Sequence, residues 1–136
     1  MRRSPMLIEG YAALFGVEDL CGDVVRGGAF AASLRRGGVP MLLQHRQGAV
    51  VGRWTRMVED GTGLFVRGLI EAEGAMALVC AGLSGLSIGF RAQIWTPRQT
   101  AGRDLKRVEL VEVSLVGRPM QPRARFQMVG DAIRAA

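Results

Sequence analysis

The stretch Asp104-Leu105-Lys106-Arg107-Val108-Glu109-Leu110-Val111-Glu112-Val113-Ser114-Leu115-Val116 is the longest β-type run in the chain. Its period is two, the period of a strand. Val111, Val113 and Leu115 share one face with Glu109, and Glu112 shares the opposite face with Leu110 and Ser114. Pro119 and Pro122 break the run. An ionised carboxylate at the centre of so apolar a strand is costly to bury without a partner. An imidazole N–H is one suitable partner. A solvated outer face is the alternative that alternation leaves open.

Working outward from this run, β-type segments recur at Met6–Phe15, Val39–His45, Val50–Val58, Leu64–Ile70, Leu86–Trp95 and Arg125–Val129. Asp19–Asp23 and Pro97–Arg103 read as loops. Asp60-Gly61-Thr62-Gly63 is a hairpin signal. Two short helices are expected, Ala29–Arg36 closed by Gly37-Gly38 and Glu73–Ala81 closed by Gly82. Asp131–Ala136 reads as a frayed helical end. The expected fold is a β-rich α+β domain over residues 1–136, a mostly antiparallel barrel of six or seven strands. Closure is expected because it removes exposed edges.

The chain has 136 residues, 49% apolar and 22% charged, a globular composition. No run reaches 18 apolar residues, and the basic start lacks the apolar core of a signal peptide. A cytoplasmic protein without membrane association is expected. The net charge is +6. It is scattered, with no block of like charges, so it suits acidic partners or work near polyanions without marking a specific nucleic-acid reader. A nucleic-acid barrel would want aromatic stacking platforms, and only Trp54 and Trp95 lie beside arginines. Cys21 and Cys80 lack CxxC spacing, and the chain has one histidine, so no metal or other cofactor is expected. Both cysteines are expected reduced and mostly buried.

Three residues stand out for chemistry. His45 is the sole histidine, hence the sole imidazole base. Ser87 lies in Gly85-Leu86-Ser87-Ile88-Gly89-Phe90. Alternation puts Leu86, Ile88 and Phe90 on one face and Ser87, Gly89 and Arg91 on the other. A hydroxyl would then project from a polar face, between glycines that admit a substrate backbone. No helix pattern follows, so this is not a nucleophile elbow. Glu112 could orient a histidine, as the third member of a triad does. Taken alone, His45 and Ser87 each read first as ordinary surface residues, and a solvated outer face stays open for Glu112.

In combination, four stretches resemble the prohead, or capsid maturation, proteases of tailed bacteriophages and gene transfer agents. These are serine proteases related to the herpesvirus assemblins. Glu9-Gly10-Tyr11-Ala12, with Asp23-Val24-Val25 and Gly28-Ala29-Phe30, is similar to the family's first strand, acidic loop and first helix. Leu42-Leu43-Gln44-His45 with Val51-Gly52-Arg53-Trp54 is similar to its histidine segment. Gly85–Phe90 is similar to the nucleophile strand, and Glu112-Val113-Ser114-Leu115-Val116 with Pro119 to the third-member strand.

The resemblance implies an assemblin-like fold, with Ser87 as nucleophile, His45 as base and Glu112 where the herpesvirus enzymes carry a second histidine. Assemblins use a Gly-Arg-Arg stretch at the oxyanion site. Here Gly117-Arg118 precedes Pro119, which has no N–H to donate, so only Arg118 carries over. The implied partners are the major capsid protein precursor, its scaffolding segment and a second copy of the chain, inside the assembling prohead. A catalytically inactive capsid-assembly or scaffold-binding module on the same fold is the alternative.

Overall fold

The computed structural model describes residues 4–131. Eight strands and two helices follow in the order β1 (Met6–Leu14), β2 (Val24–Val25), α1 (Ala31–Arg36), β3 (Pro40–Leu43), β4 (Val50–Glu59), β5 (Gly63–Ile70), α2 (Glu73–Cys80), β6 (Gly85–Pro97), β7 (Arg103–Val116) and β8 (Phe126–Asp131). None of the described helices is long and apolar enough to cross a membrane.

The quoted stretch is the spine of the sheet. β6 pairs antiparallel with β7 along its whole length, from Gly85↔Val116 to Pro97↔Arg103. β7's other edge is shared by β2, parallel at Val24↔Asp104, and β3, parallel at Met41↔Val113. Between these two short strands the edge is occupied by α1. The Val108 N–H donates to the Ala29 carbonyl at 3.1 Å. Ser33 is buried, and its Oγ donates to the Val108 carbonyl at 3.1 Å and accepts from the Leu110 N–H at 2.8 Å. One side chain thus does the work of a missing strand, satisfying groups that would be costly to bury unpaired. Phe30, fully buried just before α1, anchors the helix, which is worth about 1.5–3 kcal/mol.

From β3 the sheet continues antiparallel through β4, β5, β1 and β8. Asp60 closes the expected β4–β5 hairpin, its Oδ1 accepting from the Thr62 and Gly63 N–H groups at 2.8 and 3.1 Å. Alternate residues of β5, Leu64, Val66 and Ile70, point into the core with Ile8, Met41, Leu86, Leu105 and Leu115.

The β-rich α+β class with few helices is as expected. The mostly antiparallel closed barrel is not: the sheet is mixed and open. Two causes are local. α1, set between β2 and β3, makes both run parallel to β7. The segment after β7 carries Pro119 and Pro122, which cannot donate to a ladder, so the sheet ends meet only at the isolated bridge Gly85↔Arg125.

β2 at Val24–Val25 corresponds to no strand expected from the sequence. β3 stops at Leu43, so His45 lies beyond the strand. Both cysteines are exposed rather than buried, because Cys21 sits in a surface loop and Cys80 on the outer side of α2. Asp131 ends β8, and the rest of the expected C-terminal helix lies outside the described residues.

Candidate active site

The turn that leaves β3 carries His45. The Arg46 N–H donates to the Leu43 carbonyl at 3.1 Å, and the two central residues have positive φ, Gln44 at 53° and His45 at 60°. Two consecutive non-glycine residues in the left-handed region cost about 1–2 kcal/mol each. Contacts to β7 hold them there. The Gln44 N–H donates to the Leu115 carbonyl at 2.9 Å, and the His45 N–H to Ser114 Oγ at 3.1 Å. Strain so secured aims the imidazole back over β7.

Glu112 meets it. Glu112 Oε2 lies 2.5 Å from His45 Nδ1, and Oε1 accepts from Ser114 Oγ at 2.7 Å. The Glu112 side chain is 9% exposed and that of His45 41%. Of the two environments open to this carboxylate, the buried and partnered one is realised. Gly89 makes it possible. It faces Glu112 across the β6–β7 ladder, and a Cβ there would sit 2.3 Å from Glu112 Oε2. A Cβ at Gly85 would meet the Val116 carbonyl oxygen at 2.5 Å. The glycines flanking Ser87 therefore make room for the chain itself, not for a substrate backbone as the sequence suggested.

Ser87 is the direct cross-strand partner of Ser114, the residue that ties His45 to Glu112. Opposite residues in an antiparallel pair stand on one face, with Cβ atoms about 4.5–5.5 Å apart. Ser87 is 4% exposed, so its strand lacks the open polar face expected there. Its hydroxyl makes no hydrogen bond among the described residues, to His45 included. It borders a largely apolar cleft of about 200 Å³ with Ala12, Ala13, Val25 and Ile88. His45 and Glu112 border a neighbouring cleft of about 420 Å³. Phe90 lines both clefts. The structure therefore joins two of the three expected residues directly and sets the third two register positions along the same β6–β7 ladder. Arg118 is exposed, in a bend after β7 whose Gly117 N–H reaches Gln44 Oε1 at 3.5 Å.

The far wall of the Ser87 cleft is the loop Asp19–Asp23. Arg103 clamps it, donating from its Nη2 to Asp23 Oδ2 at 2.8 Å and from its backbone N–H to Oδ1 at 2.9 Å. The guanidinium bond holds the Asp23 carboxyl below its usual range, against the opposing effect of burial. Burial pushes the neighbouring Asp19 carboxyl up. Among the described residues, no cluster of three His, Cys, Asp or Glu could hold a metal ion.

Sequence reasoning missed Ser114 and the Asp23–Arg103 clamp. Ser114 had a signal, since it is polar and on Glu112's face two residues away. The clamp joins residues distant in the chain and left none.

The fold has known counterparts. The chain is 36% identical to the prohead protease of Enterobacteria phage HK97, in an alignment taking in 62% of this chain and 41% of that protein. It thus spans about two-fifths of that relative's length. In fold it is similar to the bacteriophage T4 capsid assembly protease, with TM-score 0.68 at 13% identity, over 85% of this chain and 88% of the other. It is also similar to the KSHV protease solved with a hexapeptide phosphonate inhibitor, with TM-score 0.65 at 15% identity, over 94% and 66%. At such identities the likeness is one of fold. The profile of the caudovirus prohead serine protease family matches residues 2–135, and the chain belongs to that family.

Proposed function

We propose that the chain is a serine endopeptidase of capsid maturation, with Ser87 as nucleophile, His45 as general base and Glu112 as the residue that orients it. The observation that carries this reading is the contact between Glu112 Oε2 and His45 Nδ1 at 2.5 Å, two register positions from Ser87 in the β6–β7 ladder. With Nδ1 held by the carboxylate, Nε2 is the nitrogen left to act. It takes the proton from Ser87 as Oγ bonds to the peptide carbonyl carbon. It returns the proton to the leaving amine, and water then hydrolyses the acyl-enzyme. Backbone N–H groups near Arg118 stabilise the oxyanion, by about 3–4 kcal/mol per donor. The chemistry needs no cofactor.

The substrates are the major capsid protein precursor with its scaffolding segment, and the chain itself. The setting is the assembling prohead of a phage or a gene transfer agent in the bacterial cytoplasm. One observation favours an inactive assembly module: the Ser87 hydroxyl makes no hydrogen bond to His45. Apo sites commonly tighten only on substrate, so the protease reading is preferred. Intact mass of the capsid precursor, co-expressed with the native chain or with Ser87→Ala, separates the two. A discrete truncation that Ser87→Ala abolishes supports the protease. Full-length precursor in both, within assembled proheads, supports the inactive module.

A further inference from the structure

Beyond His45, the surface carries a feature that the Ser87, His45 and Glu112 arrangement does not use. The cleft holding His45 is also lined by Pro40, Arg91 and Val111. A cleft of about 260 Å³ shares Arg91 and Val111 with it and adds Arg36 and Gly37. A third, of about 410 Å³, shares Gly37 with the second and Pro40 with the first, and adds Trp54, Arg53 and Arg56. Each cleft shares lining residues with the other two, so the three adjoin as one groove beside the His45–Glu112 pair.

The groove is basic, and part of its charge is uncompensated. Arg91 pairs with Glu109 at 2.7 Å, and Arg53 approaches Glu71 at 3.7 Å. Glu112 is taken by His45 and Ser114. Arg36 and Arg56 have no carboxylate partner among the described residues. Arg56 also stands directly opposite Arg67 in the β4–β5 ladder. Like charges so placed are destabilising. Arg67 is neutralised by Glu9 at 2.7 Å, which leaves Arg56 as the excess cation. Nothing in the fold requires a cation at that position.

We propose that this groove receives acidic side chains of the polypeptide cut at Ser87, an inference that rests on the protease reading above. An extended chain advances about 3.3 Å per residue and presents side chains alternately, so it can set carboxylates against successive arginines. Guanidinium forks match carboxylates in geometry as well as charge. A single strand of nucleic acid is disfavoured as the occupant. It would need several stacking platforms, and Trp54 and Phe90 are the only Trp, Tyr or Phe residues along these three walls, each in a different cleft.

Fluorescein-labelled deca-glutamate, titrated with the full chain carrying Ser87→Ala and read by anisotropy at low salt, tests this without catalysis. Binding is expected that weakens about tenfold in Arg36→Ala/Arg56→Ala, as two exposed ion pairs allow, and fades with added salt. Lys106→Ala/Arg123→Ala removes the same net charge from residues lining none of the three clefts, and is expected to bind nearly as the parent does. No binding by the parent, or equal binding by the Arg36/Arg56 variant, overturns the proposal. Equal weakening in both double variants reduces the effect to net charge and also overturns it. Deca-thymidylate competing as strongly as deca-glutamate overturns the peptide assignment. Because no cleavage is read, failure here is distinct from failure of the capsid-precursor experiment.

Discussion

The start of β7 and its end each hold a buried carboxylate. At the start, Asp23, with its side chain 8% exposed, is gripped by Arg103. At the end, Glu112, 9% exposed, grips His45. Burial is the same and the partner is not. A guanidinium is always charged, so the Asp23 pair is a fixed clamp. An imidazole can both accept and donate a proton, so the Glu112 pair can take part in a proton transfer. Two buried serines repeat the contrast. Ser33 closes the edge of β7 to backbone groups alone, and Ser114 joins the Glu112 carboxylate to the His45 backbone. Along β7, what separates scaffold from site is the chemistry of the partner, not depth.

The contrast breaks first at the carboxylates. Glu112→Gln keeps the shape and removes the charge. Turnover of the capsid precursor is expected to fall about 10³–10⁴-fold, with little loss of thermal stability. Asp23→Asn should do the reverse, costing about 3 kcal/mol in denaturant unfolding while folded molecules still cleave. Because the Asp23 carboxyl is held below its usual range, its stabilisation is complete above the unfolded carboxylate pKa of about 4. It is lost as pH falls through the depressed folded value. The acid unfolding curve of Asp23→Asn should therefore converge on the native curve at low pH. A difference that persists there would detach the clamp from stability.

Gly89→Ala sharpens the comparison from the opposite strand. Its Cβ would displace the Glu112 carboxylate, and turnover should drop about 10²-fold in a protein that remains folded. Activity unchanged by that methyl would mean that the carboxylate position does not matter. The serines give the smallest effects. Ser33→Ala leaves the Leu110 N–H buried and unpaired, at about 1–3 kcal/mol of stability and no change in turnover per folded molecule. Ser114→Ala should cost similar stability and also about tenfold in turnover, recovered in part by Ser114→Thr. Equal turnover losses in the two alanine variants would erase the distinction drawn between them.

Much of this was legible in the sequence because β7 and β6 are long, alternating and bounded by breakers. The same alternation put Glu112 mid-strand, and its rarity singled out His45. Openness and mixed pairing were not legible. They depend on α1 standing in for a strand through Ser33, a contact between residues far apart in the chain. Alternation also misread Ser87 as exposed, since it reports which residues share a face and not whether that face is covered. The glycine after Ser87 was visible, but its purpose depended on where the Glu112 side chain lies across the ladder.

The central claim is that Ser87 is a nucleophile activated by the His45–Glu112 pair. Reaction of the full chain with diisopropyl fluorophosphate, followed by intact mass and peptide mapping, tests it without any substrate. One phosphoryl adduct on Ser87 is predicted for the native chain, with labelling strongly slowed in His45→Ala and Glu112→Gln. A folded native chain left unlabelled at Ser87, or labelled there at the same rate in His45→Ala, would contradict it.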